Sequence, residues 1–385
     1  MAKQANDKEP LPRVVINGRF LGQRITGVQR YARETLVCLD ALIGQGEGAF
    51  ARWVVALPPE TPNPVLRNIQ VEQVGRRRGH AWEQIDLAWY ARNALLLSFG
   101  FTGPAVLSNQ VITVHDAAVM RMPLAYRWYF RLWYRVLVRW VARRAPLVFC
   151  VSAFAGREAQ ACFSVAATKL RQTTEGWQHL QRVQPDESIL DQHRLRDRRF
   201  VLAVSSPTAN KNFSAVVEAL ALLGPQAPLC AVAGAADHGV FPQTTSNSSQ
   251  LLHLGYVSDA ALKALYQHAS CFVFPSFYEG FGIPALEAMA SGCAVVASTA
   301  PAIREVCGDA ALYFNPHEPA ELAQRLREVF ASPELCEQMA QRGLARAGCF
   351  SWEAGARLHL KHLREALALP NIDPGHHVAT AERRL

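Results

Sequence analysis

The chain has 385 residues, half of them hydrophobic and 19% charged, with a formal net charge of +8. That composition is ordinary for a soluble chain and the length asks for two domains or one large one. No run approaches roughly 18 uninterrupted apolar residues, which excludes a membrane-crossing helix as an expectation, and the polar opening MAKQANDKEPLP lacks the apolar centre of a signal peptide.

Short apolar runs alternate with amphipathic stretches in chain order. RVVING reads as a strand and VQRYARETLVCLDAL as a helix; RWVVAL, NIQVEQV, QVITV and LVFCV read as further strands. The rhythm restarts near residue 198. RFVLAV, PLCAVAG, LLHLG, CFVFP and AVVAS read as strands, and NFSAVVEALALL, SDAALKALYQHA and IPALEAMAS as helices between them. Strands separated by helical segments imply parallel sheets covered on both faces. The charged stretch QRVQPDESILDQHRLRDRR, within 180–198, has no sustained apolar pattern and reads as a linker. Two α/β units joined there leave a cleft, the default place for a ligand. The final LALPNIDPGHHVATAERRL reads as a frayed tail.

Nine dispersed cysteines without a Cys-x-x-Cys pair argue against a disulfide framework and a structural zinc site. Most lie in apolar segments, where they act as core residues, and a reducing cytosol is the expected setting. The positive charge sits in front. Residues 1–180 hold 23 Lys and Arg against 12 Asp and Glu, and the remainder 17 against 20. Within AYRWYFRLWYRVLVRWVARRA, residues 125–145, arginine recurs at 127, 131, 135, 139 and 143 among Trp and Tyr. No acidic residue occurs from Ala117 to Arg157. On a helix this is an arginine stripe suited to an anionic membrane surface, or else a helix packed on the first sheet with arginine stems over apolar surface. No nucleic-acid motif accompanies it, so no nucleic-acid partner is expected.

Three segments can carry chemistry. In FPSFYEGFGIPALEAMASG, residues 274–292, a strand turns through a glycine-bearing loop into a helix, with Pro284 in the first turn, where its missing N–H costs nothing. Parallel α/β sheets bind ligands at such strand C-terminal ends. Gly280 and Gly282 let backbone approach a ligand, and the free amides of the helix start favour an anion such as phosphate. Glu287 either accepts the two hydroxyl hydrogens of a diol or is a carboxylate favoured by the helix dipole; Glu279 either serves a second polyol or is a solvated loop residue. In AVSSPTANKNFSAV, Lys211 precedes a helix whose cap is Asn210 or Asn212, where it either neutralises a phosphate or lies exposed. His115, at the end of QVITV, either bonds a substrate or is satisfied by backbone, and Asp116 either orients it or starts the next helix.

FPSFYEGFGIPALEAMASGCAVVAS resembles the E-x7-E signature of glycosyltransferase family 4, the retaining nucleotide-sugar transferases of GT-B fold. SSPTANKN, NGRFLGQRITGVQRYARETL, VITVHDAAVMRMP, VSAFAGREAQ and FSWEAGARLHLKHLREAL resemble further segments of that family in the same order, so the likeness spans roughly residues 14 to 367. It implies two Rossmann-like α/β domains facing across a cleft: residues 1–180 on the acceptor side, 198–350 binding the nucleotide-sugar, and 351–385 a closing helix returning toward the first domain, plus the tail. It also implies roles. Glu279, His115 and Lys211 form the catalytic group, with Glu279 on the donor sugar, His115 lining that site and Lys211 on the diphosphate. Glu287 takes the ribose, and the Gly280, Phe281 and Gly282 backbone, Gly27, Ser206 and Asn210 complete the donor site. This chain departs from the family at Asn210, where arginine is frequent, near Ser205, where a glycine is common, and at Glu175-Gly176, in place of Asn-Gly.

No Asp-x-Asp and no G-x-G-x-x-G after the first strand occurs, so neither a metal-diphosphate carboxylate pair nor a dinucleotide cofactor is expected. The implied reaction moves a hexose, with a leaning to mannose, from a nucleotide diphosphate sugar to a lipid-linked or oligosaccharide acceptor in cell-surface polysaccharide biosynthesis. The enzyme would be cytoplasmic and peripheral on the inner face of the membrane. The alternatives are a sugar-nucleotide epimerase or phosphorylase of the same fold, or a non-catalytic membrane-binding module.

Overall fold

A computed structural model describes residues 11–123, 126, 128–204, 208–234 and 250–368. The first half runs β1 (Arg13–Asn17), α1 (Gly27–Gly44), β2 (Arg52–Leu57), β3 (Gln70–Gln73), a short α2 (Gly79–Ala81) continued by a π-helical turn (Trp82–Leu87) and α3 (Ala88–Tyr90). It goes on through β4 (Leu95–Ser98), β5 (Gln110–Val114), α4 (Ala118–Arg121), α5 (Trp128–Arg144), β6 (Val148–Cys150), α6 (Ala153–Phe163) and β7 (Leu170–Gln172). After α7 (Ser188–Gln192) come β8 (Phe200–Val204), α8 (Phe213–Leu223), β9 (Leu229–Ala233), β10 (Leu251–Gly255), α9 (Asp259–His268), β11 (Cys271–Phe274), α10 (Ile283–Ala290), β12 (Val295–Ser298), α11 (Pro301–Cys307) and β13 (Ala311–Phe314). Three helices close the chain: α12 (Pro319–Ala331), α13 (Pro333–Ala347) and α14 (Trp352–Leu367).

Every strand pairing is parallel. The first sheet has the order β3-β2-β1-β4-β5-β6-β7 and the second β10-β9-β8-β11-β12-β13. The central strands β4, β5 and β11 are buried at every residue, as the continuous apolar runs of two-sided sheets require. Three strands escaped the sequence reading. The LLLS run of β4 is too short to separate strand from helix by period; β7 and β13 are short, partly exposed edge strands. The stretch 180–198 is not a bare linker: it holds α7, and Leu180, Leu190 and Leu195 are buried. Three isolated leucines among charges have no period to detect.

The closing helix packs on α1, with Tyr31 hydroxyl 2.6 Å from His359 Nε2. Five of the nine free cysteines, Cys150, Cys230, Cys271, Cys293 and Cys307, are buried, and Cys349 is exposed. The amphipathic α5 buries Tyr134, Leu137, Val138, Val141 and Ala142, an i, i+3, i+4, i+7, i+8 face, against the first sheet. Its other side leaves Trp128, Leu132, Val136 and Trp140 at least half exposed. Arg127 and the tail beyond residue 368 lie outside the described residues.

Candidate active site

In each sheet the strand order reverses once, between β1 and β4 and between β8 and β11, and such reversals open a crevice at the strand C-terminal ends. The loops leaving β8 and β11 are tied to each other. Asn212 caps α8 in a left-handed conformation, φ 49°, and its Nδ2 donates to the carbonyls of Pro275 at 3.1 Å and Pro316 at 2.8 Å. The Phe277 amide donates to Asn210 O at 2.8 Å, and Asn210 Nδ2 to Tyr278 O at 3.3 Å. This frame sets Lys211 Nζ 2.7 Å from Glu279 Oε1, in a partly exposed ion pair. Glu279 is therefore not a free solvated loop residue. Gly282, at φ 126°, supplies the turn into α10, a conformation that side-chain-bearing residues rarely adopt. Gly27 opens α1, and a Cβ there would lie 4.0 Å from Ile283 Cδ1, so the N-termini of α1 and α10 approach each other across the cleft.

The loop of Glu279 is also held by the first half. Ser152 Oγ donates to Gly280 O at 2.6 Å. A Cβ at Gly280 would meet His115 O at 1.8 Å, so the space left by this glycine is taken by the first-half backbone, not by a ligand as its position in the loop had suggested. The Tyr278 hydroxyl accepts from the Ala117 amide and donates to Glu158 Oε2, both at 2.9 Å, and Arg121 holds Glu158 through two 2.7 Å bonds. The Glu305 carboxylate receives the Ala153 and Phe154 amides at the start of α6, at 2.6 and 3.0 Å.

His115 is buried, with Nε2 2.8 Å from Phe99 O and Nδ1 3.6 Å from Glu175 Oε1. The Phe99 backbone carbonyl thus satisfies and fixes the ring, with Glu175 at a longer distance on its other side. Asp116 instead starts α4, accepting the Ala118 amide at 2.8 Å. Burial raises both acids above the usual carboxylate range. His115 opposes the rise at Glu175, the Ala118 amide and His115 oppose it at Asp116, and the charge of Glu279 reaches both.

Glu287, on α10, is buried rather than solvated. His179 Nε2 lies 2.8 Å from its Oε1 and the Tyr266 hydroxyl donates to Oε2 at 3.2 Å. Trp352 Nε1, which can only donate, reaches His179 Nδ1 at 3.2 Å. That bond makes Nδ1 the acceptor and leaves the proton on Nε2, so a neutral histidine donates to Glu287. The closing helix is in this way wired to the carboxylate. Nearby, Arg30 of α1 pairs with Asp259 at 2.5 Å.

The structure pairs Lys211 with Glu279 and packs Gly280 on the His115 carbonyl, with Gly27 and Gly282 at the facing helix starts and Glu287 in a separate buried network. Phe281 turns its ring into the core against Phe350, 5.7 Å between centroids, so only its backbone is at the loop. Ser206 lies outside the described residues. Sequence reasoning missed His179, Tyr266, Tyr278, Trp352 and Glu305. Tyr278, adjacent to Glu279, and Trp352, in the FSWEAGARLHLKHLREAL segment, had a local signal; His179, Tyr266 and Glu305 had none. Among the described residues no cluster of three or more His, Cys, Asp or Glu is placed to hold a metal ion.

The family profile described as "Glycosyl transferases group 1" matches residues 186–346. The O-antigen chain mannosyltransferase B of Escherichia coli is 45% identical over 101 residues, 26% of each protein. WbdA, a serotype-specific mannosyltransferase of E. coli, is 29% identical over 190 residues, 46% of this chain. The matches span about a quarter of the length of these relatives, 26% and 23%. The O-antigen chain mannosyltransferase RfbU of Salmonella typhimurium is 27% identical over 83% of this chain and 92% of its own length. Among solved structures, a sucrose-phosphate synthase from Thermosynechococcus elongatus superposes with a TM-score of 0.71 at 18% identity, over 93% of this chain and 99% of that one. HepE of Anabaena, in complex with UDP-glucose, gives 0.68 at 16% identity, over 92% and 100%. The fold is accordingly GT-B, and the chain carries a glycosyl transferases group 1 domain over residues 186–346.

Proposed function

We propose that the protein is a retaining glycosyltransferase that moves a hexose, mannose in the first instance, from a nucleotide diphosphate sugar to a lipid-linked saccharide in cell-surface polysaccharide assembly. The observation that carries this reading is the Lys211–Glu279 pair at the β8/β11 reversal, facing the N-terminus of α1. On binding, the diphosphate takes over Lys211 and the helix amides, and Glu279, released from its ion pair, accepts hydroxyl hydrogens of the sugar. Glu287, held by His179 and Tyr266, keeps lone pairs for the ribose. Leaving-group charge is met by one cation and oriented amides, with no metal in the scheme; such preorganised donors supply about 3 to 4 kcal/mol each. The departing diphosphate takes the acceptor proton on the same face, which retains configuration. The O-antigen mannosyltransferases among the relatives support the sugar and the acceptor class.

Peripheral membrane attachment on the cytoplasmic side rests on α5. Among the described residues no helix is long and apolar enough to cross a membrane. Yet α5 exposes Trp128, Trp140 and aliphatic residues beside Arg135, Arg143 and Arg144, as an interfacial helix does. Melting the protein with UDP, GDP, ADP and dTDP tests the donor side, since a ligand of the native state raises the melting temperature. Stabilisation by one of them is expected; none from any of the four sinks the reading. Flotation with anionic vesicles tests α5. Binding lost when Arg135, Arg139 and Arg143 become Gln supports attachment, and unchanged binding or none contradicts it.

A further inference from the structure

The reversal of the first sheet also opens a cavity, of about 280 Å³. One wall is polar, with Glu83, Arg19 and Thr102; the other is aromatic, with Phe20, Phe130 and Trp133. Glu83 sits in the π-helical turn Trp82–Leu87, the kind of helix irregularity that gathers at functional sites. Its side chain is fully buried, and its two oxygens differ. Oε1 accepts from Asn17 Nδ2 at 2.9 Å and Thr102 Oγ1 at 3.1 Å, with Arg19 Nε at 3.5 Å. Oε2 has no hydrogen-bond partner. It lies 3.4 Å from Nδ1 of His80, a nitrogen that already receives Arg19 Nη1 at 3.0 Å. A bare buried carboxylate oxygen is costly to keep, and the same atom is an acceptor for a hydroxyl. Burial alone would raise the Glu83 carboxyl; His80 first, then the Arg19 charge and the bonds from Asn17 and Thr102, hold it below its usual range, so it is an anion at neutral pH.

We propose that this cavity is the subsite for the terminal sugar ring of the acceptor, with Glu83 Oε2 accepting one of its hydroxyls and Trp133 covering its C–H face. The proposal rests on the transferase reading above and adds residues to it. A pyranose has a hydroxyl rim and an apolar face, matching one polar and one aromatic wall. The half-exposed His80 ring, 4.7 Å from Trp133 and next to Oε2, is displaced when the sugar stacks on Trp133. Phe130 and Trp133 belong to α5, so a lipid end leaving the cavity runs along the exposed aromatic face of that helix.

The test is titration of the full chain with methyl α-glycosides of mannose, glucose and galactose, followed by saturation-transfer NMR. At least one binds the wild type. Glu83→Gln and Trp133→Ala each weaken it about tenfold, the scale of one charge-assisted hydrogen bond or one stacked ring. His80→Ala leaves binding as strong or tightens it. Trp133 is partly exposed on the cavity rim, so its variant stays folded even where Glu83→Gln does not. Absence of binding by all three glycosides, full-strength binding by both weakening variants, or a loss in His80→Ala equal to that in Glu83→Gln each overturns the proposal. Nucleotide melting shifts on the same samples separate the two readings. Lost nucleotide binding with the sugar results intact removes the donor reading and keeps the cavity; intact nucleotide shifts with unaffected sugar binding do the reverse.

Discussion

The two sheets share the strand order 3-2-1-4-5-6, to which the first adds a seventh strand, and build opposite chemistry at their reversals. At β8/β11 a cation and a carboxylate, Lys211 and Glu279, neutralise each other in a partly exposed pair. At β1/β4 the carboxylate is fully buried, its Oε1 held by Asn17 and Thr102, its Oε2 left bare. The first arrangement suits a charged ligand that exchanges one ion pair for another. The second suits a neutral one that brings a hydroxyl. Topology places the crevices, and a few side chains decide what each accepts.

The sharpest way to break this contrast is Lys211→Ala. It removes the cation proposed to meet the diphosphate, and turnover should fall about 100-fold or more while the melting temperature is kept. Wild-type rates from a folded variant would return Lys211 to an ordinary loop lysine. The double change Glu279→Gln with Glu287→Gln should weaken donor binding roughly tenfold or more, since two charged acceptors become neutral; isothermal titration with unchanged affinity would remove both from the donor site.

A smaller effect concerns the closing helix. Burial pushes His359 down to about 3, helped by the nearby His362 and His115. The unfolded chain protonates this group below about 6.5 and the folded chain does not until near 3, so stability present at neutral pH is lost as pH falls between those values. The slope at this site is about 1.4 kcal/mol per pH unit at most. Thermal melts from pH 7 to 4 should show a shallower decline for His359→Gln than for the wild type; equal slopes would refute the assignment. The smallest effect is at the clasp between halves. Glu305→Gln keeps one acceptor for two α6 amides, and should cost about 0.5 to 1 kcal/mol in chemical denaturation. No change would mean that the clasp does not hold the halves.

The same contrast explains what could be read from the chain alone. Lys211 and Glu279 stand in two short stretches, each following a visible strand, so spacing and turn chemistry exposed them. The alternation of apolar runs and amphipathic stretches likewise disclosed the parallel α/β architecture. The Glu83 cavity draws on β1, α1, the π-helical turn, the segment after β4 and α5; Glu83 and Thr102 themselves stand in no recognisable motif, and only the fold brings them to the β1–α1 segment and to α5. His179 lies just before the stretch read as a linker, in no motif of its own, and only the fold brings it to Glu287 and Trp352. Gly280 shows the converse: its need for glycine was legible, but its neighbour, His115 O, was not.

The most direct test of the central claim is to incubate the protein with GDP-mannose and other nucleotide-sugars, with and without a membrane extract holding lipid-linked saccharide, and to read the anomeric configuration of the product by NMR. The account predicts slow donor hydrolysis alone, faster transfer with acceptor, and a linkage that retains the configuration of the donor. Conversion of the sugar without any acceptor, an inverted linkage, or no turnover of any donor would contradict it.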